Sequence, residues 1–205
     1  MKQDKNSRNA ILSVILGDGH LGKSGCVTMR HCKAQEDYLL WKVHYLKNKG
    51  VSCGDVKPID NSGFPGVQAY VSVTRWGKFL RNYLWKDGYK NIYKRKLLNR
   101  LSPENLAIWY MDDGGLSQKK RDGVIHANEL FLNTCTTQGN NQVVIDYFSE
   151  VWGIKFTQVK NRGRYRLRAG TKAARIFLDL VREYVLQVPS MQHKLQIISK
   201  GSYDL

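Results

Sequence analysis

The chain has 205 residues, of which 42% are hydrophobic and 11% aromatic, and this composition is that of a globular protein and excludes a disordered one. The 33 Lys and Arg outnumber the 17 Asp and Glu, and the formal net charge of +16 favours nucleic acid over a membrane surface as the partner, since the basic residues lie in several separate segments. No apolar run reaches the length of a membrane span and the polar N-terminus does not resemble a secretion signal, so we expect an intracellular protein.

The first predicted element is a short helix over residues 10–16 that is apolar on nearly every side. It stops abruptly at Gly17 and Asp18, where a solvated acidic turn would be the plain interpretation. The same design occurs once more downstream, however, and this repetition favours a role for the acidic ends. A helix that is apolar all round is buried all round, so two such helices can bury one another.

Two internal repeats divide the chain. Residues 27–53 and 130–156 align at a constant offset of 103, and each copy predicts a strand, a helix closed by a glycine and a second strand. Residues 69–84 and 164–181 align at an offset of 97, and each predicts a strand that runs into an amphipathic helix. With one acid-tipped helix ahead of each half, the predicted order is αββαββα, twice. We expect an N-terminal half at residues 1–85, a basic linker region at 86–101 and a C-terminal half at 102–205.

The second apolar helix has a clear start and ends in two carboxylates. Pro103 suits the first helical position and Ser102 the N-cap, and the helix runs into Asp112 and Asp113. If the two apolar helices pack side by side at the seam between the halves, Asp18 and Asp113 meet at one end. Neighbouring carboxylates repel each other, and a divalent metal such as Mg²⁺ supplies the counter-ion. In a basic protein, such a site points to phosphodiester hydrolysis.

The two acid-tipped segments resemble the paired motifs of the LAGLIDADG homing endonuclease family, in its single-chain, two-motif branch: they read ILSVILGDGH (11–20) and LAIWYMDDGG (106–115). The first is degenerate, because Gly17 precedes its acid where the second has Asp112. The resemblance extends through the repeated layout and covers nearly the whole chain. It implies an α+β fold with pseudo-twofold symmetry, a duplicated αββαββα unit in which two saddle-shaped antiparallel sheets straddle duplex DNA and the motif helices pack at the central interface.

The resemblance also implies which residues bind metal. In this family the last acid of each motif binds the catalytic divalent ions, and these positions are Asp18 and Asp113. The residues that precede them, Gly17 and Asp112, would supply backbone carbonyls to the metals. A helix-capping or structural role suits the side chain of Asp112 better than metal ligation, since the first motif has no counterpart for it.

The family further places a basic residue near each active site, where it can activate water or stabilise developing charge. The best matches are Lys90 and Lys194. For either one, a solvated or phosphate-contacting lysine is the alternative. Other lysines compete with Lys90 for its role, namely Lys86, Lys94 and Lys96.

Alternation along the strands predicts which sheet face meets DNA. One face must pack on helices, and in residues 67–73 the valines and the alanine share that face. In residues 164–169 three arginines share the opposite face, where they would repel each other without an anion. An arginine there could form hydrogen bonds with guanine in the major groove. A solvated edge strand is the alternative. Residues 119–121 predict a loop that grips phosphates. Glu129 is expected on the equivalent outward face of the second half. The residues expected to contact DNA are Thr28, Arg30, Gln68, Tyr70, Ser72, Lys119, Lys120, Arg121, Asn133, Lys155, Arg162, Arg164, Arg166 and Arg168.

Together, residues and resemblance predict a monomeric, site-specific endonuclease that uses Mg²⁺ or Mn²⁺ to hydrolyse both strands of a long double-stranded DNA target, with Ca²⁺ binding but not supporting cleavage. The target is expected to be asymmetric, because the basic strand at 162–168 has no basic equivalent at 69–73. The alternatives are a maturase that binds intron RNA and a non-cleaving DNA-binding regulator on the same scaffold. Loss of either acid would favour them, and both acids are present. A basic ribosome-associated protein would explain the charge but not the acidic helix ends.

Overall fold

The N-terminal half is built on a four-stranded antiparallel sheet. The computed structural model describes residues 4–86, 89–90, 93–122 and 124–195. The N-terminal half ends with an amphipathic helix, as the sequence predicts. Its elements are α1 (Lys5–Leu16), β1 (His20–Leu21), β2 (Val27–Cys32), a 3₁₀ turn (Lys33–Gln35), α2 (Glu36–Asn48), β3 (Lys57–Asn61), β4 (Phe64–Val71) and α3 (Arg75–Leu84). The strands are hydrogen-bonded in the order β1-β2-β4-β3.

A short segment separates the two sheets. It contains a two-stranded antiparallel ladder and one turn of helix, so the described part of the basic region is structured. The predicted domain boundaries at 85 and 102 stay predictions. Its elements are β5 (Trp85–Lys86), β6 (Tyr89–Lys90) and α4 (Arg95–Leu98).

The C-terminal half repeats the layout of the first. The strand order β7-β8-β10-β9 matches that of the N-terminal sheet, which confirms the predicted duplicated α+β architecture. Its elements are α5 (Pro103–Asp113), β7 (Gly114–Arg121), β8 (Val124–Thr136), α6 (Gln138–Trp152), β9 (Thr157–Asn161), β10 (Arg164–Ala169), α7 (Thr171–Val185) and a final 3₁₀ helix (Pro189–Leu195). Among the described residues, no helix is both long and apolar enough to cross a membrane.

The helices α1 and α5 pack against each other at the centre of the molecule. Residues 10–16 of α1 and 105–111 of α5 are buried throughout, as expected for helices that are apolar on all sides. The start of α5 is confirmed, since the hydroxyl of Ser102 caps the main chain of Asn105. The predicted start of α1 was too late, because Asp4 accepts a hydrogen bond from the main-chain N–H of Ser7 over 2.7 Å and extends the helix back to Lys5.

Each sheet buries one face and presents the other outward. In the N-terminal sheet the buried side chains alternate along β2 and β4; they are Val27, Met29, Val67, Ala69 and Val71. The alternation predicted over 67–73 holds as far as Val71 and is wrong at Val73, which lies past the end of β4 and is 53% exposed. In the C-terminal sheet the equivalent side chains are Leu130, Leu132, Leu167 and Ala169. The outward faces are therefore the ones left for a partner.

Candidate active site

The ends of α1 and α5 meet at the interface between the halves. The main-chain N–H of Asp18 donates to Oδ2 of Asp112 over 3.1 Å. A Cβ added to Gly17 would lie 2.1 Å from the same oxygen, so no side chain fits there while Asp112 keeps its place. The glycine that makes the first motif degenerate is therefore required by the second motif, whose carboxylate fills the room that a side chain at residue 17 would need.

A buried ion pair holds the carboxylate of Asp112. Its Oδ1 lies 2.5 Å from Nζ of Lys42, and both side chains are 0% exposed. The hydroxyl of Tyr38 donates to the same oxygen over 2.9 Å, and Nζ of Lys42 lies 3.0 Å from Nε2 of His31. Since an ammonium can only donate, Nε2 of His31 accepts. Burial, followed by the charge of Lys42, lowers the pKa of His31 to about 4, so the imidazole is neutral at neutral pH.

We expect this neutral histidine to make the protein sensitive to acid. The folded pKa of His31 is about 4 and the ordinary value 6.5, so its contribution to stability is complete above pH 6.5 and is lost as the pH falls towards 4, by up to about 3 kcal/mol. His31→Gln keeps an acceptor for Lys42 but does not titrate, and urea unfolding at pH 7 and pH 4.5 should show a smaller loss of stability than in wild type. His44→Gln is the control, since His44 is exposed on α2. An equal loss in wild type and His31→Gln would contradict this expectation.

The protein itself supplies the counter-ion of Asp112. The sequence predicts a metal between the acidic helix ends, but for this carboxylate the balancing charge is Lys42. A signal for it exists in the sequence, because Lys42 lies on the buried stripe of α2, three residues after Leu39 and four before Leu46. A lysine on an apolar stripe needs a buried anionic partner, and the acidic helix end provides one. The carboxylate of Asp112 is thus bound inside the protein by Lys42 and Tyr38, and the structural role expected for it stays a prediction.

A cluster of possible metal ligands lies at the same place. Asp18, His31 and Asp112 each place one ligand atom within 4.8 Å of the others. The ammonium of Lys42, however, is hydrogen-bonded to both His31 and Asp112. The ammonium of Lys42 thus already occupies the position of a cation between His31 and Asp112, and the cluster gives no reason to add a metal there.

The two acids predicted to bind metal lie at the motif helix ends, close to Lys194. Asp18 is exposed just beyond α1, and Asp113 is the half-buried last residue of α5. Nζ of Lys194 donates to the carbonyl oxygens of Met111 and Gly114, the second over 3.0 Å. Burial lowers the pKa of Lys194, while the charges of all three aspartates at the helix ends oppose this shift. Hard carboxylate oxygens beside such a lysine are a donor set that fits Mg²⁺ and acid–base chemistry.

The side chain of the second predicted catalytic lysine lies outside the described part of the structure. The backbone of Lys90 belongs to β6, but its side chain is among those not described. Its catalytic role stays a prediction.

The exposed face of the N-terminal sheet begins next to Asp18. A concavity there is lined by Asp18, His20, Thr28 and Arg30. Thr28 pairs with Tyr70 and Arg30 with Gln68 across β2 and β4, so these predicted DNA-contacting side chains share one face. Nε of Arg30 donates to Oε1 of Gln68 over 2.8 Å. Ser72 is exposed just past the end of β4.

The exposed face of the C-terminal sheet carries the three arginines of β10. The guanidinium of Arg166 lies 3.9 Å from the centre of the Phe131 ring. Arg168 is bound to Glu129 through both Nε, over 2.8 Å, and Nη2. The expectation that these arginines need an external anion is therefore wrong for Arg168, because Glu129 is its anion. Hydrogen bonds from Arg168 and Lys119 lower the pKa of this nearly buried carboxyl, although burial acts the other way and is the largest influence.

Three further groups of predicted contacts lie on this sheet or beside its strands. The predicted loop at 119–121 is wrong, since these residues form the end of β7 and pair with β8 as far as the turn. All three of these basic residues are exposed, and Nζ of Lys119 also lies 3.3 Å from Oε2 of Glu129. Lys155 is exposed before β9, Arg162 lies in the β9–β10 turn at a φ of 48°, and Asn133 is half-buried on β8.

Solved structures share this fold. The homing endonuclease I-WcaI, solved bound to its DNA recognition sequence, has a TM-score of 0.76 at 20% identity over 96% of this chain and 88% of that one. The N-terminal LAGLIDADG domain of DUF199/WhiA has a TM-score of 0.50 at 12% identity over 88% of this chain and 86% of that one. These likenesses establish the architecture that the sequence predicts.

Sequence relatives extend over most of the chain. A protein from Mycolicibacterium fallax named "Protein RecA" is 28% identical over 198 residues, which is 90% of this chain and 45% of that protein. The chain thus spans about half the length of such curated relatives. "Probable intron-encoded DNA endonuclease 3" of Mycosarcoma maydis is 27% identical over 106 residues, 52% of this chain and 72% of that protein. The model of the LAGLIDADG DNA endonuclease family matches residues 8–177, which contain both acid-tipped motifs and both sheets, and the chain belongs to this family.

Proposed function

We propose that the chain is a site-specific endonuclease that hydrolyses phosphodiester bonds in both strands of duplex DNA. The observation that carries this proposal is the meeting of the two acidic helix ends, where the main chain of Asp18 bonds Asp112 and the charges of Asp18 and Asp113 act on the same lysine. A structural protein of the same charge would have no use for this arrangement. Membership of a DNA endonuclease family supports the same conclusion.

In this proposal Asp18 and Asp113 hold Mg²⁺ or Mn²⁺, with the backbone carbonyls of Gly17 and Asp112 as further ligands. When bound, a divalent ion lowers the pKa of water and stabilises charge on the leaving oxygen. The chain's own part is to fix two carboxylates at the ends of rigid, buried helices. Lys194 stands beside them with a lowered pKa, which suits it to take or give a proton near the scissile phosphate. The same role for Lys90 is part of the proposal.

The two outward sheet faces are proposed to contact the DNA, with one chain covering both halves of the target as a monomer. I-WcaI, which has the same fold, was solved bound to its DNA recognition sequence. The two faces differ here, since β10 presents arginines where β4 presents Gln68 and Tyr70. We therefore expect an asymmetric target sequence. Because the proposed substrate is duplex DNA, we expect the protein to act at DNA inside the cell.

The first test is cleavage of a plasmid library of random or host-derived sites with Mg²⁺ and with Ca²⁺. Wild type is expected to give linear products with Mg²⁺ only. Asp18→Asn and Asp113→Asn should each abolish the linear products while binding to the selected site survives. Tight binding by wild type without cutting in Mg²⁺ or Mn²⁺ would overturn the proposal in favour of a regulator or an intron RNA maturase.

Glu129 gives a separate prediction for DNA recognition. Glu129→Gln releases Arg168 and Lys119, so non-specific binding should strengthen while the ratio of specific to non-specific affinity falls about tenfold, the value of one well-oriented arginine contact to a base. The salt dependence of binding should steepen by up to about one ion. Competition binding in a salt series measures both quantities.

Glu150→Gln is the matched control for charge. It removes one negative charge from α6, where Glu150 is exposed and pairs with Arg95. Because this pair is not on β7, β8 or β10, the control should leave the specificity ratio unchanged. Equal behaviour of the two variants would show that Glu129 acts only through net charge.

A further inference from the structure

We infer that Asp112, held by the buried Lys42, is a positioning residue for Asp18, and that this device makes the two active sites unequal. The inference rests on the proposed function. The contact that carries it is the hydrogen bond from the main-chain N–H of Asp18 to Oδ2 of Asp112, at 3.1 Å. The side chain of Asp112 need not touch substrate or metal, because it acts by fixing the end of α1, from which the Asp18 side chain projects.

The hydrogen bonds around the carboxylate leave one oxygen for this task. Lys42 and Tyr38 both bind Oδ1, at 2.5 Å and 2.9 Å, and so fix the rotation of the carboxylate. Oδ2 then faces Asp18 and lies 2.1 Å from the position that a Cβ of residue 17 would take. The end of α1 is thus held by a hydrogen bond and by close contact with the main chain at Gly17.

Stability alone gives little reason for such an ion pair. Both side chains are 0% exposed, and the desolvation of two charges offsets most of their attraction. Apolar pairs of similar volume are often as stable or more stable. What an apolar pair cannot provide is an acceptor for the N–H of Asp18 at a fixed position.

The network exists in one half of the molecule. The helices α2 and α6 begin at Glu36 and Gln138, and at this offset of 102 the positions of Tyr38 and Lys42 correspond to Asn140 and Val144. Nδ2 of Asn140 donates to the hydroxyl of Thr136 over 3.0 Å, while Val144 is buried and brings no charge. No buried ammonium is therefore present at the matching place among the described residues of the C-terminal half.

The two acids consequently depend on different supports. Asp18 depends on the pair of Lys42 and Asp112. Asp113 is part of α5 itself, and Lys194 binds the main-chain carbonyls on either side of it, at Met111 and Gly114. Loss of the ion pair should thus weaken the site at Asp18 and spare the site at Asp113.

Two double variants test this dependence. Lys42→Met with Asp112→Asn and Lys42→Met with Asp112→Leu both remove the charged pair and leave no buried unpaired charge. They differ in one respect, since the asparagine keeps an oxygen that can accept from Asp18 and the leucine does not. Comparison of the two variants isolates the hydrogen bond from the ion pair.

The readout is a Ca²⁺ titration followed by the backbone amide NMR signals of Asp18 and Asp113. With leucine, Ca²⁺ affinity at Asp18 should fall at least about tenfold, as expected for the loss of a hydrogen bond of ordinary strength in a charged site, and change by less than about twofold at Asp113. With asparagine, both affinities should stay near those of wild type. Strand-resolved cleavage with Mg²⁺ should show one strand slowed at least about tenfold more than the other by the leucine variant alone.

Thermal unfolding of each variant decides first whether it folds. If the leucine variant does not, Tyr38→Phe replaces it. It removes the hydroxyl that lies 2.9 Å from Oδ1 of Asp112 and 3.2 Å from the carbonyl oxygen of Ile108, leaves Lys42 in place, and should weaken Ca²⁺ binding at Asp18 more than at Asp113. Equal effects at the two aspartates, or no effect in a folded variant, would overturn the inference while leaving the proposed function intact. Absence of Ca²⁺ binding and of cleavage in wild type would overturn the proposed function and this inference with it.

Discussion

Replacement of Lys42 by methionine is expected to lower the free energy of unfolding by about 3–5 kcal/mol, because it leaves the carboxylate of Asp112 buried without its counter-ion. The pair is 0% exposed on both sides, so water cannot take the place of the ammonium without a rearrangement of α2. Tyr38 would remain as a donor to Oδ1, but a hydroxyl does not neutralise a charge. Urea unfolding at pH 7 measures the loss.

Lys47→Met is the matched control for this substitution. Lys47 lies on the same helix and pairs with Asp55 at 3.2 Å, but the two side chains are 47% and 88% exposed. An exposed pair contributes about 0–1 kcal/mol, so this variant should unfold close to wild type. A loss below about 1 kcal/mol in Lys42→Met would show that the interior accepts the lone carboxyl, and would contradict the account of a tightly buried ion pair.

The fold was predictable because its periodic features are long and repeated. The alternation in β4 and β10, the cap at Ser102 and the offset of 103 between the halves all express burial or backbone geometry, which sequence spacing records directly. The start of α1 was missed because one local contact, from Ser7 to Asp4, decides it. Propensity alone does not reveal such a contact.

The candidate site was predictable in part. The meeting of the helix ends follows from two apolar helices that must bury each other, and the sequence shows both. The pairing of Lys42 with Asp112 joins residues 70 positions apart on different helices, and the pairing of Arg168 with Glu129 joins two strands. A charged residue on the buried face of a helix indicates that a partner of opposite charge is buried beside it. Only the three-dimensional packing shows which partner it is.

The predicted loop at 119–121 shows the opposite failure. Three consecutive basic residues resemble a solvated, phosphate-binding loop, yet β8 continues far enough to pair with all of them. Tertiary pairing overrides local composition at the end of a hairpin. The charges remain on the rim of the sheet, so their proposed contact with phosphate does not depend on the loop.

Replacement of Lys194 by methionine is expected to slow cleavage by about 100- to 10,000-fold, the range for removal of a general acid or base. Lys194 is suited to this role because burial lowers its pKa from the ordinary 10.5, so that a larger fraction is deprotonated near neutral pH. If the neutral amine is the active form, the rate of wild type should rise with pH up to the pKa of Lys194. The measurement is single-turnover cleavage between pH 6 and pH 10.

Lys194→Arg separates proton transfer from simple charge. An arginine keeps the positive charge beside Asp18 and Asp113 but does not release its proton at any of these pH values. If Lys194 transfers a proton, the arginine variant should bind the target as wild type does, cut as slowly as the methionine variant and lose the rise of rate with pH. If Lys194 acts only by its charge, the arginine variant should retain most of the rate. Cutting by Lys194→Met within about threefold of wild type would remove Lys194 from the mechanism, since a general acid or base is worth far more than that factor.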